Sequence, residues 1–129
     1  MMTTEQSRKL LGDYLEALRH DKTEATLKRF ISDQSLIEHI NFFEVGLPSY
    51  QLIANDVIVE GNKVVMRTTV EGEHRGELFG FAPTGQKIST EGIIIYELED
   101  NKIARHWMQF DTASLMQQIT TAPMAADAD

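Results

Sequence analysis

Gly92-Ile93-Ile94-Ile95-Tyr96-Glu97-Leu98-Glu99-Asp100-Asn101-Lys102-Ile103 is the stretch on which the fold turns. A run rich in β-branched residues stops at Asp100-Asn101, a pair that tolerates the backbone of a tight turn, and apolar residues resume at Ile103. The pattern predicts two antiparallel strands, Lys87 to Glu99 and Lys102 to Asp111, joined as a hairpin. Working outward, Tyr50 to Val59 and Lys63 to Glu71 show the same two-residue period, and Glu60-Gly61-Asn62 joins them as a second hairpin. A longer Gly/Pro loop separates the two hairpins.

Before Pro48 the period lengthens. Leu10, Leu11, Tyr14, Leu15 and Leu18 recur at three- and four-residue steps, predicting an amphipathic helix from Glu5 to Arg19. Thr23 is placed to cap a short second helix that buries Ala25, Leu27, Phe30 and Ile31. Ser32 and Asp33 interrupt it and recap a third helix, Gln34 to Val45, with Leu36, Ile37, Ile40, Phe43 and Phe42 turned inward. Thr112 to Ile119 reads as a final short helix. Helices first and antiparallel strands afterwards is an α+β order, with helices covering one concave face of the sheet.

At 129 residues the chain suits one domain. Residues 1–119 are expected to form it, and residues 120–129, rich in Ala and Asp, to form a disordered tail. Twenty acidic against twelve basic residues give a net charge of −8, and the basic residues are scattered. No stripe could follow a phosphate backbone, so nucleic acid is not an expected partner. The longest apolar run, Gly92 to Tyr96, is far too short for a membrane span, and the start lacks a signal core. A cytoplasmic location is expected. With no cysteine, thiol chemistry and thiolate metal sites are excluded. His20, His39, His74 and His106 show no ligand spacing, so no metal and no cofactor are expected.

The segment Glu73-His74-Arg75-Gly76-Glu77-Leu78-Phe79-Gly80-Phe81-Ala82-Pro83-Thr84-Gly85 resembles the G-T-H-x-G-x-x-x-G-x-x-P-T-G stretch of SnoaL-like ester cyclases, with Glu73 in place of the usual Thr. Those proteins are a branch of the nuclear-transport-factor-2-like superfamily. Downstream, Gly92 to Tyr96, Asn101-Lys102-Ile103, His106-Trp107, Asp111 and Leu115-Met116-Gln117-Gln118 resemble the family's closing pattern. The resemblance implies a cone of three amino-terminal helices on a strongly curved antiparallel sheet enclosing an apolar pocket, commonly in a homodimer. It also implies metal-free ring closure by an aspartate at the end of the last long strand, where Asp111 stands. The short stretch between Phe30 and Ile40 leaves no room for the extended loop of the longer cyclases.

Alternation along the last strand groups Ile103, Arg105, Trp107, Gln109 and Asp111 on one face, and this more polar face is expected to form the cavity wall. A partly desolvated carboxylate there is suited to moving a proton. The alternative for Asp111 is a cap on the following helix. Trp107 offers a flat wall or an ordinary core ring, and Gln109 can orient a carbonyl or lie exposed. His74 is either an acid/base partner at the cavity mouth or a brace of the Gly/Pro loop. Arg67 calls for a carboxylate or an anionic ligand, with Glu91 as a conceivable partner. Tyr50, Tyr96 and His39 could add hydroxyl and imidazole groups to the pocket.

Two readings of function stand side by side. One is a cofactor-independent cyclase, isomerase or lyase that uses Asp111 and His74 on a small apolar or aromatic carbonyl compound. The other is a non-catalytic ligand-binding or dimerisation module of the same fold.

Overall fold

The computed structural model describes residues 1–120, so the expected tail lies, but for Thr120, outside the described residues. Helices α1 (Thr4–His20), α2 (Glu24–Phe30) and α3 (Gln34–Gly46) are followed by strands β1 (Gln51–Glu60), β2 (Lys63–Glu73), β3 (Lys87–Glu99) and β4 (Lys102–Phe110), and then by α4 (Thr112–Thr120). The strands form one antiparallel sheet in the order β1-β2-β3-β4, as consecutive hairpins dictate. The α+β expectation and the three leading helices hold.

Local chemistry sets each helix start. Thr3 and Gln6 form a reciprocal capping box, with 3.1 Å from the Gln6 amide to Thr3 Oγ1 and 2.9 Å from the Thr3 amide to Gln6 Oε1. Thr23 accepts from the Thr26 amide, and Asp33 accepts from the amides of Ser35 and Leu36. Leu10, Leu11, Tyr14 and Leu18 of α1 are buried, each worth roughly 1.5–3 kcal/mol against exposure.

Register explains both faces of the sheet. Val59, Val64, Tyr96 and His106 form one cross-strand row, and Val57, Met66, Ile94 and Met108 the next. These rows face the helices. On the opposite face Ile58, Val65, Ile95 and Trp107 form a row whose ends, Ile58 and Trp107, are exposed. Two bulges reset the alternation, one between Ala54 and Asp56 and one opposite Glu97 and Leu98, where Ala104 is the extra residue.

The core divides into two clusters. The larger joins α1, α2 and α3 to the sheet, and the smaller gathers Leu47, Tyr50, Val70, Leu78 and Ile88 with Leu115 and Ile119 of α4. No helix among the described residues is long and apolar enough to cross a membrane.

Candidate functional site

A cavity lies at the seam between the two clusters. Tyr14 and Leu18 of α1, Leu36, His39, Ile40 and Phe43 of α3, and Ile94, Tyr96, Met108 and Phe110 of the sheet line it, with Leu47, Tyr50, Leu52, Val70, Thr90 and Leu115 closing the far end. Its wall is therefore the inner face of β4. This overturns the expectation that the face carrying Arg105, Trp107 and Gln109 would be the wall. The bulge at Ala104 is the physical reason: it puts buried Ile103 on the same side as His106, Met108 and Phe110 and sends the polar set outward.

Trp107 is 49% exposed on the outer face, with Lys63 Nζ 5.6 Å from its ring centre. Arg67 is also on the outer face and exposed. Its neighbour is Asp56, 3.8 Å away, and not Glu91, which pairs in register with Thr69. Asp111 is exposed just beyond β4. Its Oδ1 accepts from the Ser114 amide at 3.0 Å and its carbonyl oxygen from the Leu115 amide at 3.1 Å, so it caps α4. It does not line the cavity.

His74 is fully buried in the loop between β2 and β3 and also does not line the cavity. Its Nδ1 lies 3.0 Å from Thr84 Oγ1 and accepts from the Thr84 amide at 3.3 Å, while its backbone bonds Gln86 and Gly85. It braces the loop. Its Nε2 has no hydrogen-bond partner among the described residues.

Tyr50, Tyr96 and His39 do line the cavity, joined there by Tyr14. All three tyrosines of the chain therefore meet in one space. Tyr14 and Tyr96 sit edge to face with ring centres 5.9 Å apart. Burial pushes the Tyr14 hydroxyl well above the ordinary phenol range, helped by Tyr96 and Tyr50; burial likewise raises Tyr50 and Tyr96. They stay protonated at ordinary pH and act as hydrogen-bond donors, not bases. Buried Lys22 fixes the Tyr50 end: its Nζ donates to the Tyr50 carbonyl at 2.8 Å, pairs with Glu44 at 3.2 Å and sits 4.4 Å from the ring centre.

His39 stands at the mouth, exposed on one side and facing the cavity on the other. Behind it lies an arrangement that pattern reading missed. His106 and His39 are in edge contact with ring centres 5.4 Å apart, and His106 Nδ1 donates to Asp33 Oδ2 at 2.6 Å. Burial alone would raise the Asp33 carboxyl, but hydrogen bonds from His106, Ser35 and the Leu36 amide outweigh it, and Asp33 is held below the usual carboxylate range. The sequence signal was the helix cap at Asp33. Nothing in it pointed to His106, seventy-three positions away. The two meet because the Ser32 and Asp33 amides both donate to the Ile103 carbonyl, at 3.0 and 3.2 Å.

No described carboxylate lines the cavity, and no cluster of described His, Asp and Glu residues is arranged to hold a metal ion. The interior is narrow, with a cavity volume of about 40 Å³. That is room for on the order of three waters. A shallow depression outside it, lined by Phe42, Phe79, Gln109 and Thr112, shares His39, Phe43, Met108 and Phe110 with the cavity and forms its mouth. Phe42, expected to face inward, is 44% exposed here.

Residues 2–119 match the family model for SnoaL-like polyketide cyclase. Among solved structures, one described as a SnoaL-like polyketide cyclase from a Jannaschia species superposes with a TM-score of 0.81 at 17% identity, over 95% of this chain and 97% of that one. AclR from Streptomyces galilaeus, described as a hydroxylase, gives 0.78 at 21% identity over 98% and 92%. TsrD from Streptomyces laurentii gives 0.78 at 22% identity over 92% and 98%. At these identities the likeness is one of fold. No curated protein matches the sequence.

Proposed function

Because this chain belongs to the SnoaL-like polyketide cyclase family, we propose that its inner cavity takes the carbonyl end of a small, largely apolar compound and moves a proton on it by general acid/base chemistry. The observation that carries this reading is that Tyr14, Tyr50, Tyr96 and His39 line the cavity together, with Thr90 the further polar residue, in an otherwise apolar wall. Neutral phenols bordering a water-poor space can favour the negative charge that develops on a carbonyl oxygen when an α-proton leaves. His39, the imidazole on the cavity wall, is the group we assign to take that proton. His106, anchored by Asp33, supports the His39 ring from behind. Asp111 has no part in this proposal.

A second reading, binding without turnover, is favoured by the lack of a described carboxylate on the cavity wall to act beside His39. Exchange of the methyl protons of acetophenone in heavy water, followed by NMR, separates the two. The enzyme reading expects exchange above the buffer rate that falls at least about a hundredfold in His39→Gln, with binding retained. Binding without exchange selects the second reading. Absence of binding sinks both.

We further propose a second copy of this chain as the partner of the outer sheet face. In support, Ile58, Ile93 and Trp107 are 65%, 51% and 49% exposed, and the row Ile58, Val65, Ile95 and Trp107 crosses all four strands. An apolar stripe of that extent suits a self-complementary two-fold contact.

A further inference from the structure

The loop between β2 and β3 carries a turn whose residue type conflicts with its backbone. Leu78 and Phe81 exchange both backbone hydrogen bonds, at 3.1 and 2.9 Å, leaving Phe79 and Gly80 as a two-residue hairpin turn. Both have positive φ, 51° and 82°, the mark of a type I′ turn. Glycine takes such a conformation freely, and asparagine or aspartate is the usual residue at the first position. A bulky aromatic side chain there is a true outlier, and such strain persists only where the surroundings hold it.

What holds it is the cavity mouth. The Phe79 ring packs on Phe42, centres 5.3 Å apart, and on Phe43 at 6.3 Å. Phe43 in turn contacts Tyr50 at the inner end. The turn hangs from α3 through the amides of Arg75 and Gly76, which both donate to the Gly46 carbonyl at 3.1 and 3.2 Å. Beyond that anchor Phe79, Gly80 and Phe81 are exposed. Leu78 stays buried in the smaller core cluster, so movement is confined to the exposed tip, and the Phe79 ring lies beside His39 and Phe43 at the way into the cavity.

We propose that Phe79 is the gate of the cavity: its ring, seated on Phe42 and Phe43, covers the mouth, and outward swing of the Phe79–Gly80 tip, with Leu78 left in the core, admits and releases the ligand. The inference rests on the cavity being the ligand site. A gate sets the rates of entry and exit together and leaves affinity nearly alone, whereas a mere contact residue alters affinity through the exit rate. Replacing Phe79 by Asn removes the ring and supplies a residue that prefers the turn's backbone, so the variant is expected to fold.

The probe is a para-fluorinated acetophenone, with its exchange between free and bound forms read by fluorine NMR. The gate predicts that Phe79→Asn raises both the entry and the exit rate about tenfold or more while Kd stays within about twofold. Phe42→Ala, which leaves the turn untouched and removes the ring's seat, should do the same. Unchanged rates in both variants, or an exit rate that rises only in step with Kd, overturn the gate and leave the cavity reading standing. Failure of the probe to bind the wild-type protein and both variants removes the gate and the cavity reading together.

Discussion

Asp111 has two uses open to it at the end of the last strand, and the neighbouring backbone decides between them. Its side chain lies among the free amides of the first turn of α4, and Ser114 takes it at 3.0 Å. Asp111→Ala should therefore cost about 1 kcal/mol and lower the melting temperature by about 4 °C in a domain of this size, with acetophenone binding unchanged. Asp33 is a partly buried carboxylate with a pH signature. Its folded pKa lies below the ordinary 3.8, so the unfolded chain binds the extra proton first as acid is added. The stability that Asp33 contributes is complete above that ordinary value and is lost as pH falls through the lower folded one. Thermal melts from pH about 6 downward should show a steeper loss for wild type than for Asp33→Asn. Equal slopes would remove the Asp33–His106 bond from the account.

Among the elements, periodicity was legible almost to the residue. β3 runs over the span that its pattern predicts, and α1, α3 and β1 differ from theirs by a residue or so at their ends. The face of β4 was not legible, because a single extra residue at Ala104 inverts the alternation and carries no Gly or Pro to announce it. That one bulge moved Trp107 and Gln109 off the inner wall and put Met108 and Phe110 on it. His106 was hidden for a related reason, since its contact with Asp33 depends on how the α2–α3 connection docks on Ile103, a tertiary event without a local pattern. The loop anchor offers a test at this scale. A Cβ on Gly76 would run into the Val45 carbonyl, a backbone atom that cannot step aside. Gly76→Ala should thus destabilise by more than about 2 kcal/mol, read as a lowered denaturant midpoint, whereas Gly80→Ala, with open space around the Cβ, should cost less.

For the whole molecule, the sheet divides two duties between its faces. The inner face, under the helices, carries the tyrosines' cavity; the outer face carries the apolar row that ends in Trp107. If the outer face joins two copies, Ile93→Lys combined with Trp107→Lys should halve the mass measured by sedimentation equilibrium, leave the fold intact by circular dichroism, and leave acetophenone binding unaltered, because neither residue lines the cavity. A wild-type protein that sediments as a monomer at tens of micromolar would remove the proposed partner without touching the site.

The claim that everything else hangs on is that ligand sits against the inner face of β4. Nuclear Overhauser contacts between bound acetophenone and the protein test it directly, since Met108 and Trp107 are adjacent in sequence and point to opposite sides of the sheet. Contacts to the Met108 methyl and the rings of Tyr14 and Tyr96 are expected, with none to the Trp107 indole. Contacts to Trp107 with none to Met108 would put the site on the other face and contradict it.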